Sequence, residues 1–354
     1  MNQSRVPSRR VTQKAIASAL ELDQTTVSRC FTVPERVDAK TRERILAKAK
    51  ELGYRPNWRG RVFRQQQTRM IGLVHTDEQI TYSYGNPELL GGLIGALHDR
   101  GYQLVHVRVA EDGKSTDSLL DARFDGCFID YFVRQVELDA IQNADLPAVL
   151  INAEAIDGFP AVAPDHTEAG RLMGRHLLEL GHRQAAFFRG FRLPQTDHPG
   201  FATDAWSAGL REVFREAGAG DGLIVVRPNR EIEADGQITP AFEAAMRDLK
   251  GLDQPPTALI AVNARQAVDE LAWHLPGVGL EASPGAVSIV SMIDGRELER
   301  RTRPISAIRM PYHQMGQIAA DLLIQRIEGR RPVQSPGFLP VELVHRRPNP
   351  GRDR

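Results

Sequence analysis

Short apolar segments alternate with amphipathic helical segments along most of this chain. The strand-like segments MIGLVHT (70–76), PAVLIN (147–152) and TALIAVN (257–263) are each followed by a segment with helical spacing, such as HTEAGRLMGRHLLELG (166–181) after the second. This alternation predicts an α/β fold with parallel sheets covered by helices, and ligands bound at the carboxyl ends of the strands. The segment 70–354 is too long for one such sheet, so we expect two lobes separated by a cleft.

The charge of the chain is unevenly distributed. The 354 residues include 45 basic and 45 acidic side chains, but residues 1–69 hold 16 basic against 6 acidic residues, and residues 70–354 hold 29 against 39. The first segment therefore carries +10 and the second −10. This asymmetry predicts a basic nucleic-acid-binding module joined to an acidic body. A solvated basic tail is the alternative, and the helical pattern of the segment disfavours it.

The basic segment contains three short helical patterns. They cover 11–20, 24–31 and 38–52, with Thr12 as the N-cap of the first and Gly53 as the C-cap glycine of the third. A tight turn between the first two is typical of a helix-turn-helix, whose second helix enters the major groove of DNA. A three-helix bundle with another role remains the alternative.

The second helical pattern carries side chains suited to base recognition. Gln24 can pair with adenine and Arg29 with guanine, and the methyl group of Thr25 can contact a thymine methyl. These three side chains are therefore the predicted base readers.

The residues VTQKAIASALELDQTTVSRCF and VDAKTRERILAKAKELGYRPN resemble the DNA-binding headpiece of the LacI/GalR (lactose repressor) family. TVSR and ELGYRPN are the most specific pieces, and the resemblance runs without gaps over 11–72. One departure is Glu21, where family members usually have a glycine; an acidic residue there is expected to weaken or reorient the crossing of the first two helices. The resemblance implies DNA contacts from Thr12, Gln24, Thr25, Thr26, Ser28, Arg29, Tyr54, Asn57, Gly60, Arg61 and Phe63.

The segment NWRGRVFRQQQTR (57–69) is similar to the hinge of that family, which folds into a helix on operator DNA and enters the minor groove. Phe63 stands where the family usually has a leucine wedge, and phenylalanine also unstacks base steps. An exposed linker aromatic is the alternative. Gly60 replaces the usual alanine, which lowers helix propensity by up to about 1 kcal/mol. The expected domains are a headpiece (1–56), a hinge (57–69) and an effector-binding and dimerisation domain (70–354).

The later segments AGRLMGRHLLELGHRQAAFF, PPTALIAVN and ISAIRMPYHQMGQIAADLLIQRIEG resemble the two-lobed, periplasmic-binding-protein-like (type I) effector domain of the same family. The resemblance implies that the chain crosses between lobes near Ala163, Ser291 and Leu323. It also implies a cleft that binds a small polar, carbohydrate-related effector through Thr76, Asp77, Tyr82, Tyr84, Asn152, Arg189, Trp206, Asn263 and Asp294.

The cleft departs from the family at positions that usually hold a sugar. Trp206 replaces an arginine, Ala264 replaces the aspartate after Asn263, and Asp294 is the one acid kept in the SMID segment. Trp206 can stack on a sugar face, and Arg189 can meet an anionic ligand. A loop or packing role is the alternative for each of these residues.

Other classes of function lack a sequence signal. The chain contains no GxSxG or CxxC segment, no convergent catalytic set and no His pair at metal-ligand spacing, so we expect neither an enzyme nor a cofactor or metal site. No apolar run approaches the ~18 residues of a membrane helix, and no signal peptide is recognisable, which predicts a cytoplasmic protein.

These features together predict a transcriptional repressor of carbohydrate metabolism that binds a pseudo-palindromic double-stranded operator as a homodimer. A cytoplasmic sugar-binding receptor or enzyme with a basic arm is the alternative.

Overall fold

The computed structural model describes residues 11–54, 67–76, 87–109, 124–130, 135–156, 158–189, 201–227, 230–232, 238–240, 242–279, 287–299, 305–330 and 335–346. The chain divides into two compact units, Met1–Thr68 and Arg69–Arg354.

The first unit contains three helices, each with a side-chain N-cap. They are α1 (Gln13–Leu20), α2 (Gln24–Thr32) and α3 (Ala39–Glu51), capped by Thr12, Asp23 and Asp38 respectively. A 3₁₀ turn at Pro34–Arg36 separates α2 from α3. The helices share a core whose buried members are Ile16, Ala17, Val27, Cys30, Val37, Ile45 and Ala49. The predicted three-helix arrangement is confirmed, and Cys30 packs in its core.

The turn between α1 and α2 is closed by Glu21 in the left-handed conformation, with φ 54° and ψ 40°. The N–H of Leu22 donates to the carbonyl of Ala17 at 3.0 Å, as in a helix C-cap normally built on glycine. The turn thus forms without the glycine, at the cost of a backbone conformation that side chains disfavour.

The second unit contains two sheets, one parallel and one mainly parallel. The first has the strand order β2-β1-β3-β4-β5, and all its neighbouring strands are parallel. Its strands are β1 (Met70–Thr76), β2 (Gln103–Val109), β3 (Gly126–Asp130), β4 (Ala148–Ile151) and β5 (Ala161–Val162). Its helices are α4 (Pro87–His98), α5 (Gln135–Asn143) and α11 (Tyr312–Ile327).

The second sheet has the order β13-β12-β11-β10-β6-β7 and is parallel except for β13, which runs antiparallel to β12. Its strands are β6 (Ala185–Phe188), β7 (Leu223–Val226), β10 (Ala258–Ala261), β11 (Ser288–Ser291), β12 (Ala307–Arg309) and β13 (Glu342–Val344). A separate hairpin pairs β8 (Arg230–Ile232) with β9 (Ile238–Pro240).

The helices between the first crossing and β12 are α6 (His166–Glu179), α7 (Phe201–Glu216), α8 (Phe242–Lys250), α9 (Ala272–His274) and α10 (Arg296–Glu299). A π-helical turn at Gln266–Leu271 leads into α9. The α/β class and the parallel sheets expected from the sequence are confirmed.

The chain crosses between the two sheets at other positions than expected. Ser291 lies inside the second sheet, in β11, and Leu323 is fully buried inside α11. The crossings fall instead at 163–165, between β5 and α6; at 310–311, between β12 and α11; and at 328–341, between α11 and β13. The prediction near Ala163 is correct. The one near Ser291 is wrong because β12 keeps the chain in the second sheet beyond β11. The one near Leu323 is wrong because α11 continues to Ile327 before the chain returns to the second sheet.

Glycines allow two pairs of helices to pack at very short distance. A Cβ on Gly92 of α4 would lie 2.1 Å from the carbonyl oxygen of His313 in α11, and one on Gly316 would lie 2.5 Å from the carbonyl oxygen of Leu89. In the second pair, a Cβ on Gly209 of α7 would lie 2.1 Å from the carbonyl oxygen of Thr167 in α6. Both helix pairs therefore pack backbone against backbone.

Candidate DNA-reading helix and effector cleft

Helix α2 has one buried face and one exposed face. Val27 and Cys30 lie in the core of the first unit, at 0% and 4% exposure. Gln24, Thr25 and Arg29 are exposed, while Thr26 and Ser28 are half-buried. The predicted base readers therefore share the surface of α2, as an element that enters a groove requires.

Asp23 holds the first turn of this helix. Its Oδ1 accepts hydrogen bonds from the backbone N–H of Thr25 at 2.7 Å and from the Thr25 hydroxyl at 2.6 Å. These bonds, the hydroxyl bond first, lower the pKa of the Asp23 carboxyl below its ordinary value. Because the hydroxyl is engaged, the methyl group is the part of the Thr25 side chain left for an apolar contact with a base.

The other predicted DNA contacts of the headpiece lie around α2. Thr12 is exposed at the N-terminus of α1, where its hydroxyl oxygen accepts a bond from the N–H of Ala15 at 3.3 Å. Tyr54 is half-buried, with its ring centroid 5.3 Å from that of Phe31. A helix N-terminus and a phenol hydroxyl are both suited to phosphate oxygens. The remaining predicted contacts lie outside the described residues: Asn57, Gly60, Arg61 and Phe63.

At the carboxyl end of β4, Asn152 meets a residue on the other side of the first crossing. Its Oδ1 lies 3.0 Å from Nε2 of His166, the first residue of α6. Asn152 has a positive φ of 61°, and His166 is 2% exposed. Burial lowers the pKa of His166 to about 4, against an opposing effect of the Asp165 carboxylate. The imidazole is therefore neutral near pH 7.

Trp206 of α7 completes this group, and we call the three residues the Asn152–His166–Trp206 cluster. The indole is 2% exposed and meets the rings of His166 and Phe187 edge-on, with centroid distances of 5.4 and 6.5 Å. Its Nε1–H has no hydrogen-bond partner among the described residues. The ring faces are covered, so stacking on a sugar is not available in this arrangement. The buried N–H is the polar group that this side chain can offer to a ligand.

Asn263 follows β10 and organises the π-helical turn after it. Its Oδ1 accepts a bond from the N–H of Gln266 at 2.9 Å, and Oε1 of Gln266 accepts one from the N–H of Val262 at 2.7 Å. π-helical turns are frequent at functional sites. The carbonyl of the Asn263 side chain is used in the turn, which leaves its amide N–H₂ for a ligand.

Asp294 is held by arginines rather than left open. Its Oδ1 lies 2.6 Å from a guanidinium nitrogen of Arg346 and also accepts from the N–H of Gly295 at 2.9 Å, while Oδ2 lies 3.4 Å from Arg309. The side chains of Asp294 and Arg346 are 14% and 10% exposed. Both carboxylate oxygens are occupied, so the contacts of Asp294 favour a structural ion cluster over a ligand contact.

Arg189 follows β6 and is 9% exposed. Its guanidinium lies 2.6 Å from Oδ1 of Asp204 and donates to the hydroxyl of Thr203 at 2.7 Å. It thus belongs to the beginning of α7 and not to the Asn152–His166–Trp206 cluster.

The remaining predicted cleft residues are only partly described. Thr76 is the last residue of β1, and its side chain is not described. Asp77, Tyr82 and Tyr84 lie outside the described residues. Sequence reasoning missed His166, whose signal is its place as the first helical residue after a predicted crossing between lobes.

Within the ranges that the structure describes, no group of His, Cys, Asp or Glu side chains has the arrangement of a metal site. No described helix combines the length and apolar character that a membrane crossing demands.

Two family models match the chain. "Bacterial regulatory proteins, lacI family" matches residues 14–57, and "Periplasmic binding protein-like domain" matches residues 175–347. The first covers α1 to α3, and the second begins in α6 and ends after β13.

Relatives and solved structures match almost the whole chain. An HTH-type transcriptional regulator of Mycobacterium tuberculosis is 29% identical over 97% of this chain and 98% of its own. The structure of a Lac repressor dimer bound to operator and the anti-inducer ONPF has a TM-score of 0.75 at 22% identity. The match covers 96% of this chain and 99% of that one. A complex of the transcriptional regulator CelR with cellobiose has a TM-score of 0.64 at 24% identity, and the match covers 96% of this chain and 100% of that one. With its helix-turn-helix headpiece and its two parallel sheets, the chain belongs to the LacI family and is a DNA-binding transcriptional regulator.

Proposed function

We propose that this regulator is a homodimeric repressor whose two α2 helices read the half-sites of a pseudo-palindromic operator. The observation that carries the proposal is the common exposed face of Gln24, Thr25 and Arg29 on a helix whose other face is buried. The +10 charge of residues 1–69 supplies the attraction to phosphate, and the −10 charge of the body opposes its approach to DNA. A regulator of this kind acts in the cytoplasm, where the chromosome lies.

Within this proposal, phosphate contacts come from Thr12, Thr26, Ser28 and Tyr54, which surround the base readers. Phe63 is the minor-groove wedge of a hinge that also includes Asn57, Gly60 and Arg61. The pairing of two headpieces follows from twofold symmetry, because a symmetric protein dimer matches a symmetric DNA site. The related Lac repressor is described as a dimer bound to its operator.

The effector that we propose is a small, polar, carbohydrate-related molecule bound where the carboxyl ends of the two sheets meet. Support comes from the polar groups near the first crossing and at the end of β10: the amides of Asn152 and Asn263 and the indole N–H of Trp206. Amide groups and an aromatic N–H are typical partners of sugar hydroxyls. Related regulators have been solved with cellobiose and with ribose.

Effector control then follows from closure of the two sheets on the ligand. A ligand that contacts both sheets stabilises one relative arrangement of them, and in a dimer this changes the spacing of the two hinges. A hinge that folds only at the correct spacing is a bistable element, ordered on the operator and released when the spacing changes.

A gel-shift assay on fragments upstream of the chain's own gene tests the DNA-binding part of the proposal. At about 50 mM and about 200 mM salt, one fragment should be retained in preference to random DNA, and its affinity should fall steeply with salt. Sedimentation of the same sample should show a dimer at micromolar concentration. Absence of any preferred fragment would favour the alternative, a sugar-binding receptor or enzyme with a basic arm.

Arg29→Ala tests the reading face itself. We expect the variant to lose about 1–3 kcal/mol of specific binding and to lose discrimination at one base pair. Arg44→Ala removes the same charge from an exposed position of α3 and should lower the affinity for all sequences equally, if at all. Unchanged discrimination in Arg29→Ala would exclude Arg29 as a base reader.

A thermal-shift screen of sugars, sugar phosphates and uronates tests the effector part on the full chain. A ligand of the native state raises the melting temperature by mass action. The same ligand should change the gel-shift affinity, which a ligand without regulatory effect would not.

A further inference from the structure

A polar cavity lies at the outer edge of the second sheet, beside α7. It has a volume of about 520 Å³ and is lined by Arg189, Asp204, Ser207, Arg211, Val225 and Arg227, among others. Arg189 and Arg227 directly follow the parallel strands β6 and β7, and the N–H of Arg189 donates to the carbonyl of Val226 at 2.9 Å. The cavity therefore lies at the carboxyl ends of two strands, where α/β sheets bind ligands.

This cavity is separate from the Asn152–His166–Trp206 cluster. Trp206 and Gly209 occupy the face of α7 that packs against α6, where a Cβ on Gly170 would lie 2.3 Å from the carbonyl oxygen of Trp206. Asp204, Ser207 and Arg211 occupy the other face of α7. At 100° per residue, these two sets of positions point in nearly opposite directions.

The charges around the cavity are unbalanced. Arg189 is buried and paired with Asp204, whereas the exposed residues Arg211 and Arg227 make no ion pair among the described residues. Three guanidinium groups against one carboxylate leave a charge of +2. The hydroxyl of Ser207 donates to the backbone carbonyl of Thr203 at 2.7 Å. Because its proton is used within α7, the arginines are the principal donors toward the cavity.

We propose that this cavity binds the phosphate group of a small phosphate monoester, as a second effector site of the regulator. A phosphate monoester carries close to two negative charges at neutral pH, which matches the unbalanced charge of the lining. Guanidinium groups bind phosphate oxygens in bidentate pairs and remain charged at all relevant pH values. The volume of the cavity lies within the range of about 300–1,000 Å³ that is usual for small-molecule sites.

Roles in the site follow from burial. Arg189 is held in place by Asp204 and Thr203, so it forms the fixed wall of the site. Arg211 and Arg227 stand on different elements, α7 and the end of β7, and a bound phosphate would bridge them. A carbohydrate without a phosphate leaves both charges unmatched and should bind elsewhere.

The test is isothermal titration of the full chain with glucose 6-phosphate, inorganic phosphate and glucose. We expect Arg211→Gln, and separately Arg227→Gln, to weaken glucose 6-phosphate binding by at least about tenfold, because each removes a charge-assisted contact. The matched control is Arg215→Gln, which removes the same charge one turn further along α7, outside the cavity lining. It should change the affinity by less than about twofold, the change expected from long-range charge alone.

Several outcomes would overturn the proposal. One is equal weakening by Arg211→Gln and Arg215→Gln, since a general charge effect would explain it. Others are the absence of glucose 6-phosphate binding, or binding of glucose with equal affinity. Binding of inorganic phosphate alone would exclude a monoester site. Failure of this proposal would leave the proposed function standing, because gel-shift assays test operator binding and the unphosphorylated sugars of the thermal-shift screen test the cleft.

Discussion

Nε2 of His166 lies 3.0 Å from Oδ1 of Asn152, and this contact joins the first turn of α6 to the end of β4. Asn152 follows a strand of the first sheet and His166 begins the helix that precedes β6 of the second sheet, so they lie on either side of the first crossing. At the same place, backbone bonds of 2.8 and 2.9 Å connect Leu339 of the third crossing to Asp165 and Ala163. A relative movement of the two sheets would therefore change the distance between these two side chains.

Acidification should destabilise the second unit through His166. The folded pKa is about 4, below the ordinary value of 6.5, so between these pH values the unfolded chain binds a proton that the folded chain does not. The free energy of unfolding should fall by up to about 3 kcal/mol as the pH falls from 6.5 to 4, and this contribution should be constant above 6.5 and below 4. Urea unfolding across this range measures the slope.

The control for this prediction is His166→Gln, which cannot take up the proton and should flatten the profile between pH 6.5 and 4. His176 and His182 also have pKa values lowered by burial, and they remain in the variant. An unchanged slope in His166→Gln would assign the acid sensitivity to those two residues instead.

Local patterns predict the headpiece well, because its structure depends on close neighbours in the sequence. The caps Thr12 and Asp23 and the alternation of exposed and buried positions on α2 require only helical spacing. The strands β1, β4 and β10 were likewise recognisable as short apolar runs.

Long-range pairing explains what the sequence did not reveal. The resemblance places Asp294 in the cleft, yet Asp294 pairs with Arg346, which lies 52 residues away and has no local signal. Similarly, β12 and β13 are three residues each and exist by virtue of their neighbours in the sheet. The cavity beside α7 depends on arginines from α7 and from the positions just after β6 and β7, which only the fold brings together.

Glu21→Gly should stabilise the headpiece. Glu21 has a φ of 54°, and a residue with a Cβ pays about 1 kcal/mol or more in this region, which glycine avoids. Hydrogen exchange of the α1 and α2 amides in the full chain should slow accordingly. Glu21→Ala is the control, since it removes the charge and keeps the Cβ; equal slowing in both variants would attribute the effect to charge.

Two glycines of one helix should respond to alanine in opposite ways. A Cβ on Gly92 would lie 2.1 Å from the carbonyl oxygen of His313, whereas one on Gly95 meets nothing within 4 Å. Gly92→Ala should therefore lower the free energy of unfolding by at least about 2 kcal/mol through overpacking. Gly95→Ala should raise it by about 0.5–1 kcal/mol through helix propensity. Urea unfolding of both variants checks the pair, and a loss in Gly95→Ala would mean that a neighbour covers this position.

Trp206→Phe should separate the ligand role of the indole from its packing role. The phenyl ring keeps a contact with His166 and Phe187, and the lost N–H has no partner among the described residues, so stability should fall far less than the about 3–5 kcal/mol of a Trp→Ala change. If the N–H donates to the effector, the sugar that raises the melting temperature most should bind about tenfold more weakly. Operator affinity without that sugar should not change.

Trp273→Phe is the matched control for this prediction. Trp273 is 73% exposed, so its replacement should alter neither stability nor sugar affinity. Wild-type sugar affinity in Trp206→Phe would show that the indole N–H faces no ligand, and that Trp206 serves only the core between α6 and α7.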